Sequence, residues 1–232
     1  MRTHQVRHKG VIDLVTEADL AAEAIIVAGI RQAFPEHGII SEEQAPAGST
    51  AGHFWLVDPL DGTVNFAHHF PWFCVSVAYG WQGKIRAGVV FHPILDELFW
   101  AEEGRGACLG ERPLRVSGET RLQGSLVATG FPYDVHEAAD AAIRPLAAVL
   151  PHVQGVRRAG AAALDLAQVA AGRFEAFFEI KLKPWDTAAG MLLVAEAGGV
   201  CTDFAGRPFD PFSTEILASN GLVHPDLLRL LG

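Results

Sequence analysis

Apolar residues between positions 19 and 34 recur every three to four residues, which is the spacing of one face of an α-helix. Thr16 can cap the start of this helix, and Pro35 follows its end. Shorter apolar runs come next, separated by tight-turn residues such as Gln82 and Gly83. These runs span residues 38–41, 53–57, 73–81, 84–92 and 95–102. The pattern predicts a helix followed by an antiparallel meander of strands.

After a polar stretch near residue 120, strand-like and helix-like runs alternate to the end of the chain. Strands are predicted at residues 125–129, 153–156, 175–180, 200–203 and 216–218. Helices are predicted at residues 137–150, 161–171 and 185–197, with a short last helix after Pro225. We therefore expect an α+β half over residues 1–120 and an α/β half over residues 121–232, packed as one unit with the functional site between them.

Composition limits the function further. The chain has 232 residues, 50% of them hydrophobic, which is enough to bury a large core. Its 18 Lys and Arg against 27 Asp and Glu give a net charge of −9, which repels nucleic-acid backbones and anionic membranes. A chain of this charge needs local cations or bound metal ions to handle a phosphorylated substrate. The three cysteines form no C-x-x-C pair, and no targeting or membrane-spanning segment is visible, so we expect a cytoplasmic protein.

The most informative motif lies where the apolar run at residues 53–57 ends in two carboxylates, Asp58 and Asp61. Pro59 interrupts strand pairing between them, and Gly62 lets the backbone approach a ligand closely. Two converging carboxylates repel each other unless a cation lies between them, and oxygen ligands without nearby His or Cys favour Mg²⁺. An ordinary Pro-Gly loop with an Asx-turn is the alternative.

Three more acidic clusters occur along the chain. Glu42 and Glu43 end the short run at residues 38–41, and Asp186 opens the predicted helix that begins at Trp185. Asp19 opens the first helix. Taken singly, each has an ordinary interpretation, either a solvated acidic turn or a helix cap.

In their order and spacing, the four clusters resemble the inositol monophosphatase family of Mg²⁺-dependent, lithium-sensitive sugar phosphatases. The signature D-P-[IL]-D-G-T-x-N-F stands at Asp58 to Phe66, and the signature W-D-x-A-A-G at Trp185 to Gly190. Weaker matches extend the resemblance from Lys9 to Asn220. The resemblance implies a layered αβαβα sugar-phosphatase fold, with an antiparallel-sheet half packed on an α/β half.

The resemblance also implies roles for individual residues. Thr63 and Asp19 would orient and deprotonate the attacking water. Two to three Mg²⁺ ions are implied, with Asp58 bridging two of them. Their ligands would be Glu42, Asp58, the carbonyl oxygen of Leu60, Asp61 and Asp186. Substrate contacts would come from Lys9, Gly62, Thr63, Gly160, Ala161, Ala162 and Glu179.

The implied function is hydrolysis of a phosphomonoester, with inositol-1-phosphate as the default substrate and a homodimer as the expected assembly. Fructose-1,6-bisphosphate, histidinol phosphate and phosphoadenosine phosphate remain open as substrates, as does a regulatory binding protein on the same scaffold. Covalent attack by an aspartate is disfavoured, because Asp58 and Asp61 are three residues apart with Pro59 between them.

Three departures from the family pattern concern the substrate end and the start of the chain. Ala161 stands where many relatives have a hydroxyl residue, and Lys181 stands where many have glycine. Relatives usually carry a helix before the Lys9 segment.

For Glu179, the alternative to substrate binding is an ion pair with Lys181 or Lys183 that only holds a loop.

Overall fold

The computed structural model describes residues 6–8, 14–43 and 49–232, and Lys9 lies outside these ranges. This part of the chain contains six α-helices: α1 Glu17–Ala33, α2 Thr63–Ala67, α3 Ala139–Val149, α4 Ala162–Ala170, α5 Pro184–Glu196 and α6 His224–Leu231. Its first nine strands are β1 Val6–His8, β2 Leu14–Thr16, β3 Gly38–Ser41, β4 His53–Asp61, β5 Cys74–Trp81, β6 Lys84–His92, β7 Glu97–Glu102, β8 Gly106–Leu109 and β9 Arg112–Pro113. The remaining strands are β10 Leu126–Thr129, β11 Gly155–Arg157, β12 Ala176–Ile180, β13 Val200–Thr202 and β14 Glu215–Ser219.

Helix α1 begins where the sequence predicts, because Thr16 and Asp19 cap it together. The Thr16 hydroxyl oxygen accepts a hydrogen bond from the Ala18 N–H at 3.2 Å. The Asp19 carboxylate in turn accepts one from the Thr16 N–H at 2.9 Å. Two N–H groups that the helix cannot satisfy internally are thereby paired.

The larger sheet has seven strands in the order β3-β4-β5-β6-β7-β8-β9. Strands β4 to β7 form the predicted antiparallel meander, which β8 and β9 extend beyond the prediction. Gln82 and Gly83 make the turn between β5 and β6 with positive φ. Strand β3 departs from the prediction, because it pairs parallel to β4.

The smaller sheet has five strands in the order β11-β10-β12-β14-β13. Strand β10 pairs parallel with β11 and β12, as alternating strands and helices predict, whereas β14 pairs antiparallel with β12 and β13. Helices α3 and α6 pack together, and α6 also contacts β14.

Helices α4 and α5 form the central layer between the two sheets. All nine residues of α4 are buried, and α5 packs on β4 to β8. The approach is close: a Cβ added at Gly88 of β6 would lie 2.8 Å from the Cα of Ala189 on α5. With α1 packed over β4, the layers follow the predicted αβαβα order. Among the described residues, no helix is both long enough and apolar enough to cross a membrane.

Candidate active site

The end of β4 carries the first two carboxylates. Pairing with β5 is irregular between Asp58 and Asp61, as expected for a strand interrupted by Pro59. The Leu60 N–H donates to Asp58 Oδ1 at 3.0 Å, which fixes one oxygen of this buried side chain. Gly62 then adopts φ 94°, and a Cβ there would lie 3.0 Å from the Trp72 carbonyl oxygen. Glycine is therefore needed at this turn for both conformation and space.

Thr63 and Asp19 meet although they lie 44 positions apart in the sequence. The Thr63 hydroxyl oxygen is 2.9 Å from Asp19 Oδ1 and 3.1 Å from the Leu60 carbonyl oxygen, so its proton can go to either acceptor. The Thr16 hydroxyl donates to the other Asp19 oxygen at 2.5 Å. Asp19 is fully buried, so its carboxylate is held in place behind Thr63.

Asp61 reaches across to the central helical layer. The Ala163 N–H, in the first turn of α4, donates to Asp61 Oδ2 at 2.7 Å, and the Cys74 thiol lies 3.6 Å from the same oxygen. Burial raises the pKa of Asp61 to about 6, and these hydrogen bonds only partly oppose it.

Asp186 lies in the first turn of α5 and plays the capping role that the sequence suggests. The Lys183 N–H donates to Asp186 Oδ2 at 2.8 Å. Burial, followed by the charges of Asp61 and Glu42, raises the pKa of Asp186 to about 8. A helix cap alone does not explain such a raised pKa, since capping hydrogen bonds favour the ionised form.

Four carboxylates therefore share one electrostatic environment. Burial raises the pKa of Asp58 well above its usual value, and the charges of Glu42, Asp61 and Asp186 raise it further. All four line the same pocket. In the part of the chain that the structure describes, no three His, Cys, Asp or Glu side chains already form a compact metal-binding group. The donor chemistry nevertheless fits a hard divalent cation, because the groups are carboxylates, Asp58 buried and the other three half-buried, whose like charges need a counter-charge.

The pocket has a volume of about 580 Å³ and lies between the two sheets. Next to it, the Asn65 side-chain amide ties α2 to the segment before α4 by donating to the Trp72 carbonyl oxygen at 2.7 Å and to the Ala159 carbonyl oxygen at 2.9 Å. The lining includes nearly every predicted site residue that the structure describes, and Asp19 lies behind Thr63. These lining residues are Glu42, Asp58, Leu60, Asp61, Gly62, Thr63, Gly160, Ala161, Ala162, Glu179 and Asp186.

Glu179 also lines the pocket and is only 8% exposed. Burial, followed by the charges of Asp186 and Asp165, raises the pKa of its carboxyl group well above the usual value. Lys181 pairs with Asp134 at 2.5 Å and leaves Glu179 without the expected partner. Among the described residues, Lys183 makes no ion pair with Glu179 either. The loop-holding alternative required an ion pair between Glu179 and Lys181 or Lys183, and the described residues contain neither pair.

The pocket lining also contains charged residues that the sequence does not predict for the site, among them Asp165 and Arg158. Asp165 on α4 is 1% exposed, and among the described residues its Oδ1 has no hydrogen-bond partner. Arg158 Cζ lies 5.6 Å from the centroid of the Phe131 ring. The positive charge of Arg158 lowers the pKa of both Asp165 and Glu179, which opposes the increase caused by burial. Sequence signals for both residues exist. Asp165 is the one acidic residue inside the apolar run at 162–170, and Arg158 is a local cation of the kind that a chain with net charge −9 needs to bind a phosphorylated substrate.

A carboxylate-lined pocket with a hydroxyl–carboxylate pair beside it, in a fold of two sheets around a central helical layer, is the arrangement of the layered sugar-phosphatase fold class. The model of the inositol monophosphatase family matches residues 2–231, and the chain belongs to that family.

Two curated relatives carry different names. The chain is 48% identical to the Nus factor SuhB of Pseudomonas aeruginosa, over 87% of this chain and 76% of that protein. It is 43% identical to an inositol-1-monophosphatase of Synechocystis sp., over 99% of this chain and 81% of that protein. The crystal structure of the extragenic suppressor protein SuhB from Bartonella henselae superposes with a TM-score of 0.92 at 45% identity, covering 98% and 88% of the two chains. The predicted fold is confirmed, and the relatives include both a named phosphatase and a Nus factor.

Proposed function

We propose that the protein is a Mg²⁺-dependent phosphomonoester hydrolase that prefers inositol-1-phosphate and works as a cytoplasmic homodimer. The observation that carries this proposal is the Thr63–Asp19 hydrogen bond of 2.9 Å beside a pocket lined by four carboxylates. A hydroxyl paired with a buried carboxylate can orient a water molecule and accept its proton, which is the task that hydrolysis requires.

The ligands for two to three Mg²⁺ ions would be Glu42, Asp58, the Leu60 carbonyl oxygen, Asp61 and Asp186. Bound Mg²⁺ would lower the pKa of water and neutralise charge on the phosphate oxygens. The protein contributes fixed oxygens, because backbone N–H groups already hold one oxygen of each of Asp58, Asp61 and Asp186.

The other pocket residues would bind either the phosphate group or the alcohol part of the substrate. The N–H groups of Gly62 and Thr63 lie at the start of α2, where such groups have no partner within the helix, and they would hold phosphate oxygens. Glu179 would accept hydrogen bonds from ring hydroxyls, and the backbone from Gly160 to Ala162 would lie alongside the ring. Glu179 is buried and has no ion-pair partner in the described part of the chain, which suits its carboxyl group to accepting bonds from neutral hydroxyl groups.

Phosphate release from inositol-1-phosphate, measured as a function of Mg²⁺ concentration, tests the proposal. Asp186→Asn should lower kcat/KM by roughly a hundredfold or more, because one metal-binding carboxylate is lost. The matched control Asp140→Asn changes an exposed aspartate at the start of α3 and should leave kcat/KM unchanged. The proposal fails if the wild-type protein releases no phosphate from a broad panel of sugar phosphates at saturating Mg²⁺.

A Nus-factor role is the second candidate, and the 48% identity to SuhB of P. aeruginosa favours it. The proposed metal-binding carboxylates and the Thr63–Asp19 pair are all present and surround the same site, which supports an enzyme first. The two roles can be separated, since a Nus-factor role should survive Asp186→Asn whereas turnover should not.

A further inference from the structure

Lys181 has an unusual backbone conformation at the edge of the pocket. It follows β12 directly and has a φ of 62°, in the left-handed region that favours glycine because a Cβ crowds the backbone there. Among the described residues, the other non-glycine residues with positive φ do not line the pocket. The Lys181 N–H donates to the Thr214 carbonyl oxygen at 2.5 Å, which holds this conformation in place. A costly backbone conformation at a pocket edge indicates that the side chain has a task.

The side chain of Lys181 reaches across to a second segment of the chain. Its Nζ lies 2.5 Å from Asp134 Oδ2, and the two residues are 47 positions apart in the sequence. The hydrogen bond from Lys181 lowers the pKa of Asp134, so this carboxylate stays ionised at neutral pH. Both side chains are 44% exposed, so the pair lies at the surface. We call this ion pair the rim bridge.

The rim bridge joins two segments that line the pocket. One follows β10 and contributes residues 130–133 and 135, and the other begins at the end of β12 and contributes residues 179–183. Strands β10 and β12 pair in parallel, so both segments leave the smaller sheet at the same edge. Deeper in the pocket the segments meet at Gly130, where an added Cβ would lie 2.1 Å from Glu179 Oε2. Because Glu179 is buried and the rim bridge is partly exposed, the bridge lies on the solvent side of this contact.

We propose that the rim bridge closes the alcohol end of the pocket, and that Lys181 and Asp134 are specificity-determining residues. This inference rests on the proposed function, in which Glu179 binds the alcohol part of the substrate. A compact alcohol that reaches Glu179 stays beneath the bridge, whereas an alcohol that extends past Glu179 toward solvent meets it. The bridge must then open, so the protein discriminates against long alcohols.

The alternative task for Lys181 is to bind a second anionic group on the substrate. Its surroundings disfavour this role, because Asp134 already neutralises the ammonium group. Glu179 and Asp165 also line the same pocket as acidic groups. A second phosphate would have to displace Asp134 and approach these groups, and like charges repel each other. Closure of the pocket therefore explains the rim bridge better than anion binding does.

The expected effect is modest, because ion pairs of this exposure are weak. Opening such a pair changes an equilibrium constant by at most about fivefold, and two like charges in its place add repulsion. We therefore expect changes in selectivity of about three- to tenfold when the rim bridge is broken.

The test compares phenyl phosphate with para-biphenylyl phosphate, two aryl phosphates that differ in length. The ratio of their kcat/KM values cancels any effect that is common to both substrates. Lys181→Asp and Asp134→Lys each leave two like charges at the rim, so each should raise the biphenylyl-to-phenyl ratio about three- to tenfold. The double variant that carries both substitutions restores an ion pair in the reversed direction, and it should return the ratio to the wild-type value.

Two further measurements make the test specific. Arg229→Glu is the matched control, because it breaks an exposed ion pair with Asp226 on α6 and should leave the ratio unchanged. Amide hydrogen exchange supplies a readout that does not depend on turnover. The N–H groups of Val135 and Glu137 form hydrogen bonds within the segment that carries Asp134. Their exchange should become at least about threefold faster in each single variant and return to the wild-type rate in the double variant.

The possible outcomes separate this inference from the proposed function. With turnover intact, an unchanged ratio in both single variants, unchanged exchange, or a double variant that keeps the altered ratio overturns the inference alone. Lower kcat/KM for a bisphosphate in Lys181→Asp, with an unchanged biphenylyl-to-phenyl ratio, also overturns it and makes Lys181 an anion-binding residue. If the wild type releases no phosphate from either aryl phosphate or from inositol-1-phosphate, the proposed function fails and this inference fails with it.

Discussion

Gly130 is the position at which a single methyl group should change substrate preference. It follows β10 directly, and its Cα lies against the Glu179 side chain. A Cβ at this position would be 2.1 Å from Glu179 Oε2 and 2.3 Å from its Cδ, distances that no real structure tolerates. The carboxylate is the far end of a flexible side chain, so Gly130→Ala should displace it and leave the backbone in place.

The magnitude follows from the hydrogen bond that the displaced carboxylate can no longer make. A hydrogen bond to a charged group is worth about 1.5–3 kcal/mol, which corresponds to roughly a ten- to hundredfold change in kcat/KM. We expect that loss for inositol-1-phosphate. An aryl phosphate without ring hydroxyls should be hydrolysed at nearly the wild-type rate, so the ratio of the two kcat/KM values measures the effect.

Two variants make the assay specific. Gly118→Ala adds the same methyl group at an exposed position with no atom within 4 Å, and it should leave the ratio unchanged. Glu179→Gln should shift the ratio in the same direction as Gly130→Ala. An unchanged ratio in both Gly130→Ala and Glu179→Gln would show that Glu179 does not read hydroxyl groups. An equal fall on both substrates with a lower Tm would assign Glu179 a structural role.

Three further predictions concern the metal-binding end of the pocket. Thr63→Ala should lower kcat roughly a hundredfold and leave the Mg²⁺ affinity from calorimetry unchanged, and near-normal kcat would remove Thr63 from catalysis. The raised pKa values of Asp61, about 6, and Asp186, about 8, mean that the metal-free folded protein binds more protons than the unfolded chain between about pH 4 and 8. Its free energy of unfolding in EDTA should therefore fall as pH rises through that window, with a smaller slope in Asp186→Asn, and a flat profile would contradict the assignment. Lithium chloride should inhibit turnover in the millimolar range expected of the family, and full activity in high lithium would place the protein among lithium-tolerant relatives.

Local signals predicted most of the fold. Helix α1 is capped by Thr16 and ends before Pro35, so its limits could be read from the sequence. Strand β4 was predicted to stop at Val57, because carboxylates and proline usually mark a loop. It continues to Asp61 because β5 pairs with it beyond the irregular region. Strands β8 and β9, with four and two residues, are too short for an alternating pattern to reveal them.

The candidate site also has a part that the sequence predicts and a part that it does not. The motif order identified the carboxylates and Thr63, because those residues are close in sequence or belong to specific signatures. The contact between Gly130 and Glu179 could not be predicted, since it depends on how β10 and β12 approach each other in the sheet. Periodicity also could not show that α1 turns its acidic residues inward, because apolar residues occupy both of its sides.

The arrangement of the carboxylates explains how the fold tolerates their mutual repulsion. One oxygen of Asp58 is held by the Leu60 N–H, one of Asp61 by the Ala163 N–H, and one of Asp186 by the Lys183 N–H. The last two donors lie at the starts of α4 and α5, where the helix dipoles favour negative charge. These bonds fix each side chain before any ligand binds, so the rotamer entropy is lost during folding. Binding to the remaining oxygens then costs less side-chain entropy, which favours precise positioning of a reacting phosphate.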